Sequence, residues 1–259
     1  MGEMNGRKDL MVGNWKMNAT HLEAIQMVQK LSYRLEPGDY NKADVVVAPP
    51  FTALRSVQTV IEADRMLIGL AAQNAHWEEA GAFTGEVSAP MLAKLSVRHV
   101  IVGHSERRRL FAETDEKVNR KTKAVLAAGM SPIVCVGETI EEREDGDAER
   151  VVVSQLSAAV RGLDSGQLAA VAVAYEPVWA IGTGHHALPE DAGAMADVIR
   201  EALGNISEAS SEEIRILYGG SVDAGNIRDY MAKRNIDGAL VGGASLDPDV
   251  FAAIVRYRL

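Results

Sequence analysis

Short apolar runs recur along the whole chain, and each is rich in valine, isoleucine, leucine and alanine. Within a run the apolar residues are consecutive rather than alternating with polar ones, which is typical of parallel strands covered by other elements. The runs predict strands at residues 10–14, 45–49, 68–73, 99–104, 132–137, 171–176, 214–220 and 238–243.

Between these runs, apolar residues recur at helical spacing. This spacing predicts helices over residues 21–35, 115–129 and 190–204, and the last two end on glycine, a common helix terminator. Strands that alternate with helices form βαβ units around a parallel sheet. About eight such units in this length favour a single-domain (β/α)8 barrel over an open doubly wound sheet. The open sheet usually carries G-x-G-x-x-G after its first strand, where this chain has GNWKMN.

Composition and charge restrict the possible partners. The chain has 259 residues, 47% of them hydrophobic and 24% charged, as in a globular protein with a large core. Its net charge of −9 disfavours a nucleic-acid partner. The single cysteine, Cys135, permits no internal disulfide, and neither a signal peptide nor a membrane-spanning run is evident. We therefore expect a cytoplasmic protein that does not span a membrane.

Two of the predicted strands, the first and the fourth, lead into side chains that can bind a substrate or take part in catalysis. In (β/α)8 barrels the functional residues lie at the C-terminal ends of the strands. The first strand leads into Lys16, whose ammonium can bind an anionic substrate there, although a solvated surface lysine is the alternative. The fourth leads into His104 and then SERRRLF, a predicted short helix whose positive end favours a neutral imidazole that can polarise a carbonyl. A structural histidine is the alternative interpretation.

The sixth predicted strand leads into an acid held at a stiff corner. Glu176 is followed by Pro177, so its backbone is fixed by the sheet on one side and by the proline on the other. We interpret it as a general base, with a solvated surface glutamate as the alternative. The stretch VWAIGTGHHA that follows has neither helical nor strand spacing and predicts a mobile lid.

The last two predicted strands end in paired glycines, within YGGSV and LVGGASL. Loops at these positions often bind phosphate in barrels, and the amides of Gly242 and Gly243, with a short helix from ASLDPD, can do so here. Simple tight turns are the alternative. A carboxylate beside a neutral imidazole is suited to removing a proton next to a carbonyl, so we predict such chemistry on a phosphate-bearing substrate. The histidines show no ligand spacing except the adjacent pair His185 and His186, and we predict no metal.

Seven longer motifs are spread along the chain: VGNWKMN (12–18), VVVAPPFTAL (45–54), AGAFTGEVSAPML (80–92), IVGHSERR (101–108), AYEPVWAIGTG (174–184), YGGSV (218–222) and ALVGGASL (239–246). With these motifs the chain resembles the triosephosphate isomerase family from Leu10 to its last residue. The resemblance implies a single TIM-barrel domain over residues 10–259 after a short N-terminal extension over 1–9. It also implies interconversion of dihydroxyacetone phosphate and D-glyceraldehyde 3-phosphate, a step of glycolysis and gluconeogenesis, without cofactor or metal.

The resemblance further implies a role for each matching residue. Glu176 corresponds to the base that moves a proton between C1 and C2, and His104 to the neutral electrophile, which is the established chemistry of that family. Lys16 and Asn14 complete the catalytic set. The remaining assignments are substrate contact by Trp15, phosphate contact by Gly182, Ser221, Gly242 and Gly243, and positioning of the histidine and lysine by Ser105 and Glu106.

A homodimer is also implied by the resemblance. The loop over residues 74–86 matches the loop that inserts into a second subunit, with Thr84 near Asn14 and Lys16 of the partner subunit. Trp77 and Phe83 within this loop are costly to expose, which favours an interface on physical grounds.

Some interpretations remain open at this point. The family most often has a lysine and a small or hydroxyl residue after IGTG, where this chain has His185, His186 and Ala187. Protonation of the histidine pair is therefore a hypothesis for pH-dependent opening of the lid. The closest alternative activity is isomerisation of a four-carbon ketose phosphate such as erythrulose phosphate. A Schiff-base aldolase using Lys16 and a non-enzymatic binding barrel are the others.

Overall fold

Eight parallel strands close into a barrel in chain order in a computed structural model, which describes residues 6–180 and 187–259. Both the strand set and the barrel predicted from the sequence are confirmed. The strands are β1 (Asp9–Asn14), β2 (Ala43–Ala48), β3 (Gly69–Ala72), β4 (His99–Val102), β5 (Ser131–Val136), β6 (Ala172–Tyr175), β7 (Arg215–Tyr218) and β8 (Gly238–Val241).

Helices cover the outside of the barrel, as the spacing of apolar residues predicts. Their bounds are α1 (His21–Arg34), α2 (Pro37–Lys42), α3 (Phe51–Ala63), α4 (Ala89–Ala93), α5 (Ser105–Phe111), α6 (Asp115–Ala127), α7 (Ile140–Glu144), α8 (Ala148–Ala159), α9 (Ser165–Ala169), α10 (Pro189–Ile206), α11 (Glu208–Ser211), α12 (Ile227–Met231) and α13 (Pro248–Val255). Short 3-10 helices lie at Val178–Ala180 and Gly243–Leu246. The prediction that α10 ends on Gly204 was wrong, because that glycine keeps a helical backbone and the helix continues to Ile206.

Two apolar layers explain why the strands are apolar throughout. Leu10 and Val12 of β1 belong to a cluster inside the barrel, whereas Met11 belongs to the larger core between the sheet and the helices. Successive residues of a strand point to opposite faces, and here both faces are buried. No helix in the described part of the chain is long and apolar enough to cross a bilayer.

The barrel closes at a seam between β1 and β8, which are the strands nearest the two ends of the chain. Leu10 lies opposite Gly238, where a Cβ atom would lie only 2.0 Å from the Leu10 carbonyl oxygen. Gly238 also has a φ of +152°, a conformation that side chains disfavour. Beside the seam, Nε of Arg7 donates to Oδ1 of Asp237 at 2.8 Å. The seam therefore depends on the absence of a side chain at one position.

Candidate active site

A cavity of about 330 Å³ opens at the C-terminal ends of the strands. A larger cavity, of about 1500 Å³, lies at the opposite end, but the guanidinium groups of Arg7 and Arg200 there both pair with Asp237 at 2.8 Å. Arg7 also lies 3.4 Å from the carboxylate of Glu212, so both guanidinium groups are already paired, and the smaller cavity is the better candidate for an anion site. It is lined by Asn14, Lys16, His104, Gly219, Gly220, Ser221, Val222, Leu240, Gly242, Gly243 and Ala244.

His104 is placed by the turn between β4 and α5. Gly103 ends the strand with a φ of +70°, and a Cβ atom there would lie 2.8 Å from the side chain of Val118. His104 then becomes the N-cap of α5, and its Nδ1 accepts a hydrogen bond from the amide of Glu106 at 3.2 Å. A nitrogen that accepts carries no proton, so the hydrogen-bond network assigns a neutral imidazole with its proton on Nε2. The short helix predicted after this histidine is confirmed as α5.

Glu176 follows β6 and faces this imidazole. Its Oε2 accepts a hydrogen bond from the amide of Ser105 at 2.8 Å. Its Oε1 lies 3.0 Å from Nε2 of His104 but accepts no hydrogen bond of good geometry. The carboxylate is only 1% exposed. One oxygen is thus held in place by the backbone, while the other is available to take a proton.

Two glycines leave room for this glutamate. A Cβ atom on Gly137 would lie 1.7 Å from the carbonyl oxygen of Glu176, and one on Gly219 would lie 2.9 Å from its Cγ. Each distance is shorter than a non-bonded contact, so neither position can carry a side chain without moving the acid. The adjacent strands β5 and β7 therefore fix Glu176 from both sides.

Lys16 has a strained backbone and a fixed ammonium group. Its φ is +52°, and its carbonyl oxygen accepts a hydrogen bond from Nε2 of Gln73 at 2.8 Å. Its amide donates to Oδ1 of Asn14 at 3.1 Å, and its Nζ lies 2.6 Å from Oε1 of Glu106. Burial opposes ionisation of Glu106, but the hydrogen bond and charge of Lys16 outweigh it and lower the pKa of that carboxyl. Strain of this kind persists where neighbours enforce it, as Gln73 does here.

The phosphate-binding loops predicted from paired glycines meet at one side of the cavity. Ser221, Gly242 and Gly243 all line it, and Gly243 begins the short helix expected from ASLDPD. A Cβ atom on Gly242 would lie 3.5 Å from Cε of Lys16, so the lysine stem passes close to this backbone. The predicted lid begins in the 3-10 helix Val178–Ala180. Gly182, His185 and His186 lie outside the described residues.

Trp15 does not lie with the other predicted substrate contacts. Its side chain is 1% exposed, packs in the core between sheet and helices, and does not line the cavity. Alternation along β1 explains this, because Val12 and Asn14 point to the inside of the barrel and the residue after Asn14 points to the opposite face.

Several residues that support the site through hydrogen bonds belong to no sequence motif by which they could have been predicted. Gln73 is one, and it also donates to the carbonyl oxygen of Ala48 at 2.8 Å. Glu138 is another: fully buried, it accepts hydrogen bonds from the hydroxyl of Tyr175 at 3.1 Å and Nε1 of Trp179 at 2.8 Å. Arg143 lies 4.7 Å from the ring of Trp179, on the exit that also carries Glu176.

Cys135 lies inside the barrel on β5 and is fully buried. Burial, reinforced by the charge of Glu176, raises the pKa of its thiol well above the ordinary value. The thiol is therefore protonated and is not a nucleophile at neutral pH. Within residues 6–180 and 187–259, no group of histidine, cysteine, aspartate and glutamate side chains is arranged to hold a metal ion.

Comparisons of this sequence with known proteins all indicate the same family. A sequence profile of the family described as triosephosphate isomerase matches residues 9–258. The triosephosphate isomerase of Streptomyces coelicolor is 50% identical over 256 residues, which cover 98% of this chain and 99% of the relative. That of Saccharopolyspora erythraea is 51% identical over 249 residues (96% and 95% covered), and that of Leifsonia xyli subsp. xyli is 52% identical over 258 residues (97% and 98% covered).

Proposed function

The chain belongs to the triosephosphate isomerase family, and on that premise we propose that it interconverts dihydroxyacetone phosphate and D-glyceraldehyde 3-phosphate. The observation that carries the proposal is the distance of 3.0 Å between Oε1 of Glu176 and Nε2 of His104, beside the cavity that Lys16 lines. A base and a hydrogen-bond donor at this spacing can act on adjacent carbon and oxygen atoms of one small substrate.

Glu176 removes the proton next to the carbonyl and returns it to the neighbouring carbon. His104 donates a hydrogen bond from Nε2 to the carbonyl oxygen as that oxygen becomes negative in the enediolate. The proton of the neighbouring hydroxyl passes to this oxygen before the second carbon is protonated, so the carbonyl and the hydroxyl exchange places. Lys16 adds a positive charge at the same wall of the cavity, and Asn14 holds the lysine backbone through its Oδ1. Backbone amides already orient Glu176, His104 and Asn14, and the carboxylate of Glu106 orients the Lys16 ammonium, so little reorganisation opposes the reaction.

The substrate phosphate binds against the loops after β7 and β8. Ser221, Gly242 and Gly243 line that side of the cavity, and backbone amides without side chains can approach phosphate oxygens closely. Gly182 completes this set by family resemblance. Glu106 keeps the lysine ammonium directed into the cavity at 2.6 Å from its own carboxylate.

The alternatives are less well supported. The relatives reported above are named triosephosphate isomerases, which gives no support to a four-carbon substrate. A Schiff-base aldolase requires a neutral lysine amine, whereas Lys16 is paired with an ionised Glu106. A binding barrel without activity leaves the paired base and donor unexplained. In the cell we place the enzyme in the cytoplasm, at this step of glycolysis and gluconeogenesis.

A coupled assay tests the proposed function. The enzyme should convert D-glyceraldehyde 3-phosphate without added metal, and erythrulose phosphate should be turned over far more slowly. Preference for the four-carbon substrate would favour the sister isomerase, and borohydride trapping of substrate on Lys16 would favour the aldolase. Absence of turnover on every sugar phosphate would reject an isomerase.

We also propose that the protein is a homodimer assembled through the loop over residues 74–86. Phe83 at its tip is 43% exposed, and Met17, next to Lys16, is 93% exposed. Trp77 needs no partner, since it stacks on His76 with centroids 4.3 Å apart and lies under Arg120. The remaining apolar surface is the kind that a second subunit would cover.

Sedimentation velocity tests this assembly. We expect a dimer of the 27.9 kDa chain and a monomer after Phe83→Asp, with lower activity in the monomer. Substitution of Tyr33, which is exposed on α1 away from this loop, by aspartate is the matched control and should leave the dimer intact. A wild-type monomer, or a Phe83→Asp dimer, would contradict the proposed interface.

A further inference from the structure

Tyr230 on α12 connects two segments that flank the phosphate end of the site. Its hydroxyl donates at 2.7 Å to the carbonyl oxygen of Ala187, the last residue of the stretch that the sequence predicts as a lid. Its ring stacks on Tyr218, with centroids 4.0 Å apart and planes 17° apart. Tyr230 and Ala187 are each 1% exposed. One buried side chain therefore holds both the exit of β7 and the chain that leads into α10.

Tyr218 in turn packs against the predicted phosphate-binding loop after β7. A Cβ atom on Gly220 would lie 2.2 Å from the Tyr218 hydroxyl oxygen, so that hydroxyl lies directly against the loop backbone. Within the described residues the Tyr218 hydroxyl makes no hydrogen bond of good geometry. Burial raises the pKa of this hydroxyl, and Tyr230 and the amide of Ala187 lie near enough to influence it. The ring of Tyr218 is thus held between the ring of Tyr230 and the backbone of Gly220.

The same helix also holds the next residue of the loop. Asn226, the N-cap of α12, donates through Nδ2 to the carbonyl oxygen of Ser221 at 3.2 Å. Neither Asn226 nor Tyr230 lines the cavity, so neither contacts a bound substrate. A displacement of α12 would move Gly220 and Ser221 directly. Glu176 touches the same exit at Gly219 but is held in addition by Gly137 and by the amide of Ser105. His104 is held by the amide of Glu106.

We propose that Tyr230 is a positioning residue for phosphate binding: its hydroxyl fixes Ala187, and its ring fixes Tyr218 and through it the loop at Gly220 and Ser221. The proposal rests on the proposed function, because it gives the loop after β7 a phosphate to bind. It assigns Tyr230 an effect mainly on substrate affinity, since its side chain contacts neither the base nor the electrophile and both are also held by groups outside α12.

Two variants and one control test this role. Tyr230→Phe keeps the stacked ring and removes only the hydrogen bond to Ala187; Tyr230→Leu removes the ring as well. Tyr257→Phe is the control, because its hydroxyl donates to Oδ2 of Asp9 at 3.0 Å at the opposite end of the barrel. The measurements are kcat and KM with D-glyceraldehyde 3-phosphate and, independently of turnover, the Kd of inorganic phosphate by titration calorimetry.

We expect Tyr230→Phe to raise both KM and the phosphate Kd about fivefold, the factor associated with one buried hydrogen bond, with kcat within about twofold of wild type. Tyr230→Leu should raise both further, and Tyr257→Phe should change neither. Unchanged phosphate affinity in both Tyr230 variants, or a loss confined to kcat, would overturn the proposal. Because the calorimetric arm needs no turnover, an inactive wild type would reject the isomerase function and still decide the role of Tyr230.

Discussion

His99 should make the stability of this protein fall as the pH drops toward 5. The residue begins β4 at the N-terminal end of the barrel, is 8% exposed, and its buried Nδ1 makes no hydrogen bond within the described residues. Burial, assisted by the charges of Arg215 and Arg98 and opposed by Asp44, lowers the pKa of His99 from 6.5 to about 4. We expect replacement by phenylalanine to remove this dependence while keeping an aromatic ring in the same space.

The sign and size of this change in the free energy of unfolding follow from proton linkage. Between about pH 6.5 and 4 the unfolded chain binds a proton at this imidazole and the folded chain does not, so acidification favours unfolding. At 1.36 kcal/mol for each pH unit, the full interval lowers the free energy of unfolding by roughly 3 kcal/mol. About 2 kcal/mol of this falls between pH 7 and pH 5. Above pH 6.5, neither state carries the proton and the effect vanishes.

Urea unfolding at about pH 7 and about pH 5 measures the effect. All samples should have the same protomer concentration, because dissociation of a dimer makes apparent stability depend on concentration. The quantity of interest is the difference between the two pH values, since phenylalanine also changes packing at every pH. His21→Gln, which removes an exposed imidazole at the start of α1, is the matched control and should keep the wild-type difference.

The reasoning would be refuted if His99→Phe lost as much stability on acidification as wild type. The same holds if His21→Gln removed the dependence, because the responsible group would then lie at the surface. A smaller difference in His99→Phe than in wild type, by about 2 kcal/mol, is the expected outcome.

Three further substitutions address the site. Glu176→Gln should lower kcat by about 10²–10⁴-fold with little change in phosphate affinity, because only the proton acceptor is lost. Lys16→Met should mainly raise KM in steady-state assays, since the protein's net charge of −9 then opposes an anionic substrate without a local cation. Gly137→Ala should lower the unfolding temperature and activity together, because its Cβ would lie 1.7 Å from the Glu176 carbonyl oxygen. Gly38→Ala, with no atom within 4 Å of the added carbon, is its control.

Each of these expectations has an outcome that contradicts it. Wild-type turnover in Glu176→Gln would show that another group takes the proton. An unchanged KM in Lys16→Met would mean that the lysine does not attract the substrate. Gly137→Ala with the stability of Gly38→Ala would show that the exit of β6 can shift to accept a side chain.

The sequence is informative about this fold because strand pairing is local in the chain. Each strand pairs with the next, so consecutive apolar runs define every pairing in the sheet except the closing one between β1 and β8. The placement of Lys16, His104 and Glu176 near one another was predictable for the same reason, because each comes soon after an apolar run. The direction of the Trp15 side chain was harder to predict, since a tryptophan beside two polar residues has the same sequence context whether it points into the cavity or into the core.

The supporting residues could not be identified in this way. Gln73, Glu138 and Tyr230 act by hydrogen bonds to partners far along the chain or to carbonyl groups, which carry no residue-type signature. The end of α10 was missed because Gly204 tolerates a helical backbone as well as a left-handed one. Only the three-dimensional packing distinguishes such cases.

The seam between β1 and β8 has a consequence for synthesis of the chain. Until residues 238–241 have been made, β1 lacks one neighbour, and the growing sheet exposes two unpaired edges. Such edges can pair with other nascent chains, so the interval before β8 is added is when aggregation competes with folding. A side chain at Gly238 would hinder this last pairing step, where its Cβ would meet the Leu10 carbonyl. The first measurable effect of such a side chain would be a low yield of soluble protein, whereas the molecules whose barrel does close would have normal catalytic activity.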